Sequence, residues 1–143
     1  MYSPWDSPDF DGHEVVHFVS DIESGLKAII AVHSTNLGPG AGGARFWHYT
    51  QTDDAVADVL RLSRGMSYKN AMAGLPLGGG KAVILADRDR TKTEAMLVAY
   101  GRAVDRLGGT YITAEDVGIG VSDLVTVSKH TRHVAGLPAA EGE

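Results

Sequence analysis

The sequence GLPLGGGKAVILA, residues 74–86, decides the fold of this chain. The segment GLPLGGG ends the helical pattern before it, because glycine and proline interrupt regular structure. AVILA, residues 82–86, is a short apolar run typical of a strand covered on both faces. A strand buried in this way predicts a layered α/β domain, with helices before and after it along the chain.

The preceding helix is predicted from Thr52 to about Met72. Thr52 is the expected N-cap, and Asp53 and Asp54 suit the positive N-terminal end of a helix. Apolar residues then recur at intervals of three and four, the spacing of one buried helix face: Ala55, Val59, Leu62 and Met66.

The following helix is predicted from Thr91, where Glu94 completes a capping box, to the left-handed stop at Gly108 and Gly109. The other predicted elements are strands at 14–20 and 26–33 joined by a turn, a shaped loop at 34–49, a strand at 110–113, a loop at 114–120, a short helix at 122–130 and a possible strand at 132–136. This alternation predicts a single three-layer α/β domain with a mostly parallel sheet and an N-terminal antiparallel hairpin.

Composition narrows the classes of function. The chain has 143 residues, 43% hydrophobic and 22% charged, which describes one globular domain preceded by a loose lead-in at residues 1–12. A formal net charge of −5 makes nucleic acid a poor partner. Zero cysteines exclude disulfides, cysteine-bound zinc and thiol catalysis. The first residues lack a basic and an apolar stretch, so we expect a cytoplasmic protein with no membrane partner.

Two lysines stand in unexpected places. Lys69 falls at the next position of the apolar stripe, where an amine must be paired or bind something, unless its stem reaches water at the helix end. Lys81 lies between three glycines and the apolar run. Together they suggest an anion site, or a carboxylate clamp beside an amine whose pKa is lowered by burial. A flexible turn carrying a solvated Lys81 is the alternative.

Asp116 follows the strand predicted at 110–113, and ligands bind at the carboxyl ends of strands in open α/β sheets. A carboxylate there could exchange protons with a substrate amine. The alternative is that Glu115 or Asp116 simply caps a helix.

Three other sequence patterns do not indicate a binding site. Residues 38–43 satisfy G-x-G-x-x-G, but Pro39 lies inside the motif and ARFWHY follows where a helix should open. Residues 75–82, LPLGGGKA, lack the first glycine and the final Ser or Thr of a phosphate-binding P-loop. His130 and His133 have no third ligand close by, so no metal site is predicted.

Three segments taken together carry a family resemblance: NLGPGAGGARFW at 36–47, RGMSYKNAMAGLPLGGGKAVI at 64–84 and YITAEDVG at 111–118. They resemble the N-terminal, substrate-binding and oligomerising domain of the glutamate/leucine/phenylalanine/valine dehydrogenases, and most of all its leucine and phenylalanine branch. The resemblance covers about residues 14–136. It implies NAD-dependent, reversible oxidative deamination of an L-amino acid to its 2-oxo acid and ammonia.

The resemblance also implies roles for single residues. Lys69 would bind the substrate α-carboxylate. Lys81 would activate the attacking water and stabilise the carbinolamine, and Asp116 would exchange protons with the amine. Gly42, Gly43 and Met66 would line the substrate pocket.

One position separates branches of the family. Glutamate dehydrogenases carry a lysine two positions after the proline of this segment, which reaches the substrate's side-chain carboxylate, whereas this sequence has Ala41. An acidic side chain would be left unpaired there, so the resemblance implies an apolar substrate of the Leu, Val or Phe type.

The resemblance implies that NAD is bound by a Rossmann domain absent from these residues, with 137–143 as the start of the linker to it. We therefore expect residues 13–136 to be the substrate-binding and oligomerisation domain, inactive alone and at least dimeric, because the apolar hairpin edge needs cover. The alternative is a stand-alone amino-acid-binding or assembly module that reuses this fold.

Overall fold

The computed structural model describes residues 3–138 of the chain. Within them, a short 3-10 helix, Pro4–Asp6, precedes five strands and three α-helices. In chain order these are β1 (Val15–Asp21), β2 (Leu26–Ser34), β3 (Gly40–Trp47), α1 (Thr52–Met72), β4 (Gly78–Leu85), α2 (Glu94–Arg106), β5 (Tyr111–Ala114) and α3 (Val121–Ser128). No helix among residues 3–138 is both long and apolar enough to cross a bilayer.

The five strands form one mixed sheet in the order β1-β2-β4-β3-β5. β3 pairs in parallel with β4 and β5, whereas β2 pairs antiparallel with β1 and β4. The α/β class and the N-terminal hairpin are confirmed. The parallel part is smaller than predicted, because the hairpin pairs directly with β4 and so adds a second antiparallel pairing.

Apolar cores on both sides of the sheet give the domain three layers. On one face, Ile29 and Val83 pack against α1. On the other face, Ile30 and Ile84 belong to the core that includes residues of α2 and α3. Successive residues of β2 and β4 therefore point to opposite buried faces, which explains the continuous apolar run of β4.

The glycine-rich segment 34–49 contains strand β3, so the prediction of a loop there is wrong. Glycine allows this strand to lie against β4: a Cβ atom at Gly42 would be 1.7 Å from the carbonyl oxygen of Gly80. Glycine in a strand often marks such a close backbone approach, and its turn-forming role led the sequence prediction away from a strand.

Helix α1 has the predicted bounds and α2 is close to the predicted extent, but the N-cap residue of each helix differs from the prediction. The N-cap of α1 is Gln51, whose side chain makes no capping hydrogen bond, and not the predicted Thr52. Helix α2 ends at Arg106, before Gly108 and Gly109, whose φ values of 64° and 97° confirm the left-handed stop.

The capping box predicted at Thr91 does not form. Thr93 is the N-cap of α2, and its hydroxyl accepts a hydrogen bond from the backbone N–H of Met96 at 3.2 Å. The Thr91 N–H instead donates to the carboxylate of Asp87 at 2.8 Å, which keeps residue 91 in the preceding turn. Thr93 thus satisfies one of the N–H groups left without a partner at the start of the helix.

The chain ends of the domain differ in part from the prediction. The lead-in is more ordered than its composition predicted, because Pro4–Asp6 is helical and Phe10 packs against the α1 core. The predicted strand at 132–136 is reduced to a single bridge between Thr113 and Val134. Of the predicted linker 137–143, residues 139–143 lie outside the described residues.

Candidate functional site

The candidate site lies on the sheet face that α1 covers only in part. Helix α1 packs over β2 and β4, and the residues of β3 and β5 on the same face are partly exposed. Ala41, Ile112 and Ala114 form this floor: β3 and β5 pair in register, so alternate residues share a face. The floor is small and apolar, and charged side chains stand around it.

Lys81 projects from the middle of β4 into this face, beside the floor. The residue is only 6% exposed, and its Nζ lies 3.3 Å from Oδ2 of Asp116. Burial lowers the pKa of Lys81, and the positive charges of Arg45 and Lys69 lower it further, while the Asp116 carboxylate acts in the opposite direction. The result is a buried amine that gives up its proton more readily than an ordinary lysine. The solvated-turn alternative for Lys81 is therefore wrong.

Asp116 lies directly beyond the carboxyl end of β5, as predicted. Its backbone pairs with that of Ile119, which closes a tight turn, so the residue does not cap a helix. Its Oδ2 accepts a hydrogen bond from Nε of Arg45 at 2.8 Å. Burial would raise the pKa of Asp116, but the Arg45 hydrogen bond and the charges of Lys81 and Arg45 outweigh burial and lower it. The side chain is thus held as a carboxylate.

Lys69 lies in the last turn of α1, but it does not lie on the buried stripe where the sequence pattern placed it. Lys69 is exposed, and the buried face of the helix runs beside it. The buried residues of α1 are Ala55, Val56, Val59, Leu60, Ser63 and Asn70. The predicted stripe assumed a 3.5-residue repeat, whereas a straight helix turns every 3.6 residues, so the stripe drifts around the axis over this length. Lys69 is nevertheless near enough for its charge to act on Lys81.

Glycines bring α1 onto the sheet. A Cβ atom at Gly79 would lie 2.2 Å from the backbone nitrogen of Ser67, so the helix backbone rests directly on β4. The close backbone approach that the glycines of β4 permit is therefore that of helix α1 of the same chain. At Gly42 a Cβ would lie 3.1 Å from Cγ of Met66, and at Gly43 it would lie 2.8 Å from Cβ of Asp116. Packing alone thus accounts for these glycines, next to the predicted site residues.

Sequence reasoning missed Arg45 and Asn70. The side-chain amide of Asn70 donates to the carbonyl of Gly78 at 2.8 Å and to that of Ala41 at 3.3 Å, which ties the end of α1 to β3 and β4. Arg45 bridges Asp116 and Asp58 of α1. The signal for Arg45 was a charged residue at an inward position of β3, and it was hidden because the segment was predicted to be a loop.

A cavity of about 450 Å³ opens on the other side of Arg45. Its lining includes Arg45, Trp47, Tyr49, Asp58, Arg61 and Val117. It shares Arg45 with the candidate site, but neither Lys69 nor Lys81 lines it. The cavity is therefore a neighbour of the lysine–carboxylate site and not the site itself.

Neither glycine segment has the geometry of a dinucleotide site. Residues 40–43 lie inside β3 and residues 78–80 lie inside β4, so neither forms the turn from a strand into a helix that cradles a pyrophosphate. Within residues 3–138, no group of three or more histidine, aspartate or glutamate side chains is arranged to hold a metal ion.

Fold and site together define an α/β domain in which a buried lysine faces a carboxylate beside a second lysine. The chain belongs to the Glu/Leu/Phe/Val dehydrogenase family, whose dimerisation-domain model matches residues 13–133. The resemblance read from the three sequence segments is confirmed.

Relatives support the same assignment. The chain is 55% identical over 134 residues to a valine dehydrogenase of Streptomyces virginiae, which covers 94% of this chain and 37% of the relative. It is 54% identical over 125 residues to a leucine dehydrogenase of Geobacillus stearothermophilus, covering 87% of this chain and 34% of the relative. The chain thus spans little more than a third of the length of these relatives.

Solved structures agree on the fold. The L-tryptophan dehydrogenase of Nostoc punctiforme is 50% identical and superposes with a TM-score of 0.82 over 86% of this chain and 37% of its own. A hetero-hexameric glutamate dehydrogenase of Thermus thermophilus, at 19% identity, gives a TM-score of 0.76 over 92% of this chain and 36% of its own. At that identity the second comparison shows the fold alone.

Proposed function

We propose that residues 13–136 are the substrate-binding and oligomerisation domain of an NAD-dependent amino acid dehydrogenase, which catalyses reversible oxidative deamination of an apolar L-amino acid to its 2-oxo acid and ammonia. The observation that carries the proposal is the buried Lys81 amine, 3.3 Å from Asp116 and within the field of Lys69. A structural ion pair would not need a second lysine nearby. A site for an α-amino acid needs a cation, a base and a carboxylate.

Each side chain suits one part of such a substrate. The exposed Lys69 ammonium is accessible to the α-carboxylate. Lys81, whose pKa burial lowers, is suited to take a proton from the water that attacks the imino carbon, and Asp116 to exchange a proton with the nitrogen. NAD, bound by a domain outside residues 13–136, would supply the hydride acceptor.

The floor favours an apolar substrate side chain. Ala41, Ile112 and Ala114 offer it no charge and no side-chain hydrogen-bond donor. An acidic substrate would lose the hydration of its side-chain carboxylate without gaining a partner from these residues. The valine and leucine dehydrogenases among the relatives act, by their names, on amino acids of this kind.

The domain is expected to assemble through its sheet edge. β1 is an edge strand, and Phe18 on it is 49% exposed, which is a surface that proteins usually cover. We propose at least a dimer, in line with the dimerisation role in the family description. Light scattering of the 143-residue chain at tens of micromolar measures this, and a monomeric mass contradicts it.

Amino acid binding tests the site without any cofactor. NMR titration of the 15N-labelled chain with L-valine and L-leucine should show weak, saturable shifts around the floor, with a dissociation constant on the order of millimolar. L-Glutamate should shift them less. Lys69→Met should abolish binding, whereas Lys27→Met, which removes an exposed lysine of β2, should not. Equal binding by wild type and Lys69→Met contradicts the assigned carboxylate site, and tight binding favours the stand-alone binding module.

Turnover tests the base. In the product of the complete reading frame, Lys81→Ala should reduce NADH formation at least a hundredfold while circular dichroism shows the fold retained. Near-normal turnover contradicts the assignment of Lys81. The 143-residue chain alone should form no NADH with any L-amino acid, and measurable NADH from it would refute the need for a further domain.

A further inference from the structure

One guanidinium joins the candidate site to helix α1. Nε of Arg45 donates to Oδ2 of Asp116 at 2.8 Å, and Nη1 donates to Oδ2 of Asp58 at 3.3 Å. The Arg45 side chain is 23% exposed and the two carboxylates are 21% and 15% exposed, so water screens these contacts only in part. Arg45 therefore couples β3, the loop after β5 and α1.

The far end of this bridge is itself fixed. Oδ2 of Asp58 also accepts a hydrogen bond from the Tyr49 hydroxyl at 2.6 Å, and its Oδ1 accepts one from Arg61 at 2.7 Å. A carboxylate with three donors has little rotational freedom. Arg45 is thus anchored at a defined place beside the site, because it makes charge-assisted hydrogen bonds to two different carboxylates.

The contacts at Asp116 determine which of its two carboxylate oxygens has a partner. Arg45 and Lys81 both approach Oδ2, whereas within residues 3–138 Oδ1 has no hydrogen-bond partner. The carboxylate is therefore held by one oxygen while the other remains available to a substrate amine. Lys81 alone could not fix this orientation, because a single ammonium leaves the carboxylate free to rotate.

Arg45 also changes the balance between Lys81 and Asp116. The groups that act on Lys81 are Asp116, which favours its charged form, and Arg45 and Lys69, which disfavour it. A carboxylate paired with Lys81 alone would keep the amine protonated and unfit to act as a base. By sharing Asp116, Arg45 offsets part of that attraction.

We propose that Arg45, anchored by Asp58, is a positioning residue that orients Asp116 through Oδ2 and prevents Asp116 from locking Lys81 in an unproductive ion pair. The proposal rests on the proposed function for the roles of Lys81 and Asp116. Arg45 acts through these two residues and does not itself contact the substrate.

Three variants separate this role from others. Arg45→Gln removes the charge, and Arg45→Lys keeps the charge but loses the two-point bridge. Arg61→Gln is the matched control, because Arg61 also binds Asp58 but is 62% exposed and does not touch Asp116. The first readout is the protonation of Lys81, followed by correlation of its side-chain 13Cε and 15Nζ signals with pH in the 143-residue chain. The signal is assigned by its loss in Lys81→Met.

In Arg45→Gln the Lys81 titration should move to higher pH, because a neighbouring cation is lost and Asp116 pairs with the amine alone. Arg45→Lys should move it less, and Arg61→Gln should leave it unchanged. In the complete protein, kcat at pH 7 should fall roughly tenfold in Arg45→Gln and should recover in large part as pH rises. KM for the amino acid should change less than kcat.

Each contrary outcome has a distinct meaning. An unmoved Lys81 titration in a folded Arg45→Gln chain overturns the positioning role. A large rise in KM with an unchanged pH profile overturns it too, in favour of direct binding of substrate by Arg45. The NMR titration needs no substrate. If Lys81 responds to Arg45 while Lys69→Met and Lys81→Ala leave binding and turnover intact, the electrostatic coupling stands and the proposed function fails.

Discussion

The contact between α1 and β4 leaves no room for a side chain at Gly79. A Cβ atom there would lie 2.2 Å from the Ser67 nitrogen and 2.4 Å from the Ser63 carbonyl oxygen. Ordinary contact begins at 3.4 Å, so in Gly79→Ala the helix would have to retreat by about 1.2 Å, the difference between 3.4 and 2.2 Å. Gly79 has no positive φ, and the whole cost is therefore one of packing.

We expect Gly79→Ala to lower the free energy of unfolding by about 2 kcal/mol. Overpacking against backbone costs up to about 3 kcal/mol, and the loss of unfolded-state entropy at the former glycine returns about 0.5–1 kcal/mol. Urea denaturation of the 143-residue chain measures the change. The matched control is Gly65→Ala on α1, where a Cβ meets nothing within 4 Å and should stabilise the helix by about 1 kcal/mol.

The same displacement has a consequence for the site. Because Ser67 carries the retreat to the end of α1, Lys69 should move away from Lys81, and amino acid binding should weaken in Gly79→Ala but not in Gly65→Ala. A Gly79→Ala chain as stable as the wild type would refute the argument that α1 rests on the backbone of β4. Lost stability with unchanged binding would show that Lys69 tolerates the shift.

Two further predictions concern protonation. Burial raises the pKa of Tyr49, and the hydrogen bond and charge of Asp58 raise it further. In Asp58→Asn the Tyr49 phenol should therefore ionise at lower pH in an ultraviolet titration. An unchanged titration would mean that burial alone raises this pKa. The pKa of Asp11 is lowered, first by its hydrogen bond to His33 and also by Arg64. A carboxyl group whose pKa is lowered on folding stabilises the fold above the unfolded value of 3.8, and this stabilisation is lost as the pH falls below it. The free energy of unfolding of Asp11→Asn should therefore depend less on pH between about 5 and 3 than that of the wild type.

Local sequence patterns were enough to predict most of the fold. The long amphipathic helices, the hairpin and the buried strand β4 all follow from periodicity and from glycine and proline positions. The residue pattern also singled out Lys81 and Asp116, to which the family resemblance added roles. Strand β3 was missed, because four glycines and a proline between 38 and 43 favour a turn on local grounds. Their actual role is visible only once β4 lies beside them.

The residues that sequence reasoning misplaced or missed depend on geometry across elements. Lys69 was placed on the buried stripe because its interval fits a 3.5-residue repeat, and only the true helix axis shows that it lies beside the stripe. Arg45 was missed because its two partners are 13 and 71 positions away in the chain. No local pattern can indicate such a bridge, since it depends on the register of β3 with β4 and β5.

Glycine and charge are linked in this site by a single physical requirement. Lys81, Asp116 and Lys69 come from a strand, a loop and a helix, and they converge only if the three backbones approach more closely than side chains of ordinary size permit. The glycines at 42, 43 and 79 remove those side chains.

Such close packing places like charges together in a partly buried face, where they would repel each other without compensation. Asp116 compensates the Lys81 charge directly, and Asp116 and Asp58 together compensate that of Arg45. We therefore expect glycine substitutions and Arg45 substitutions to disturb the same property, the protonation of Lys81. The NMR titration of Lys81 in Gly79→Ala tests this link directly: a displaced α1 takes the Lys69 charge with it, so the Lys81 titration should move to higher pH, and an unmoved titration would separate the packing from the electrostatics.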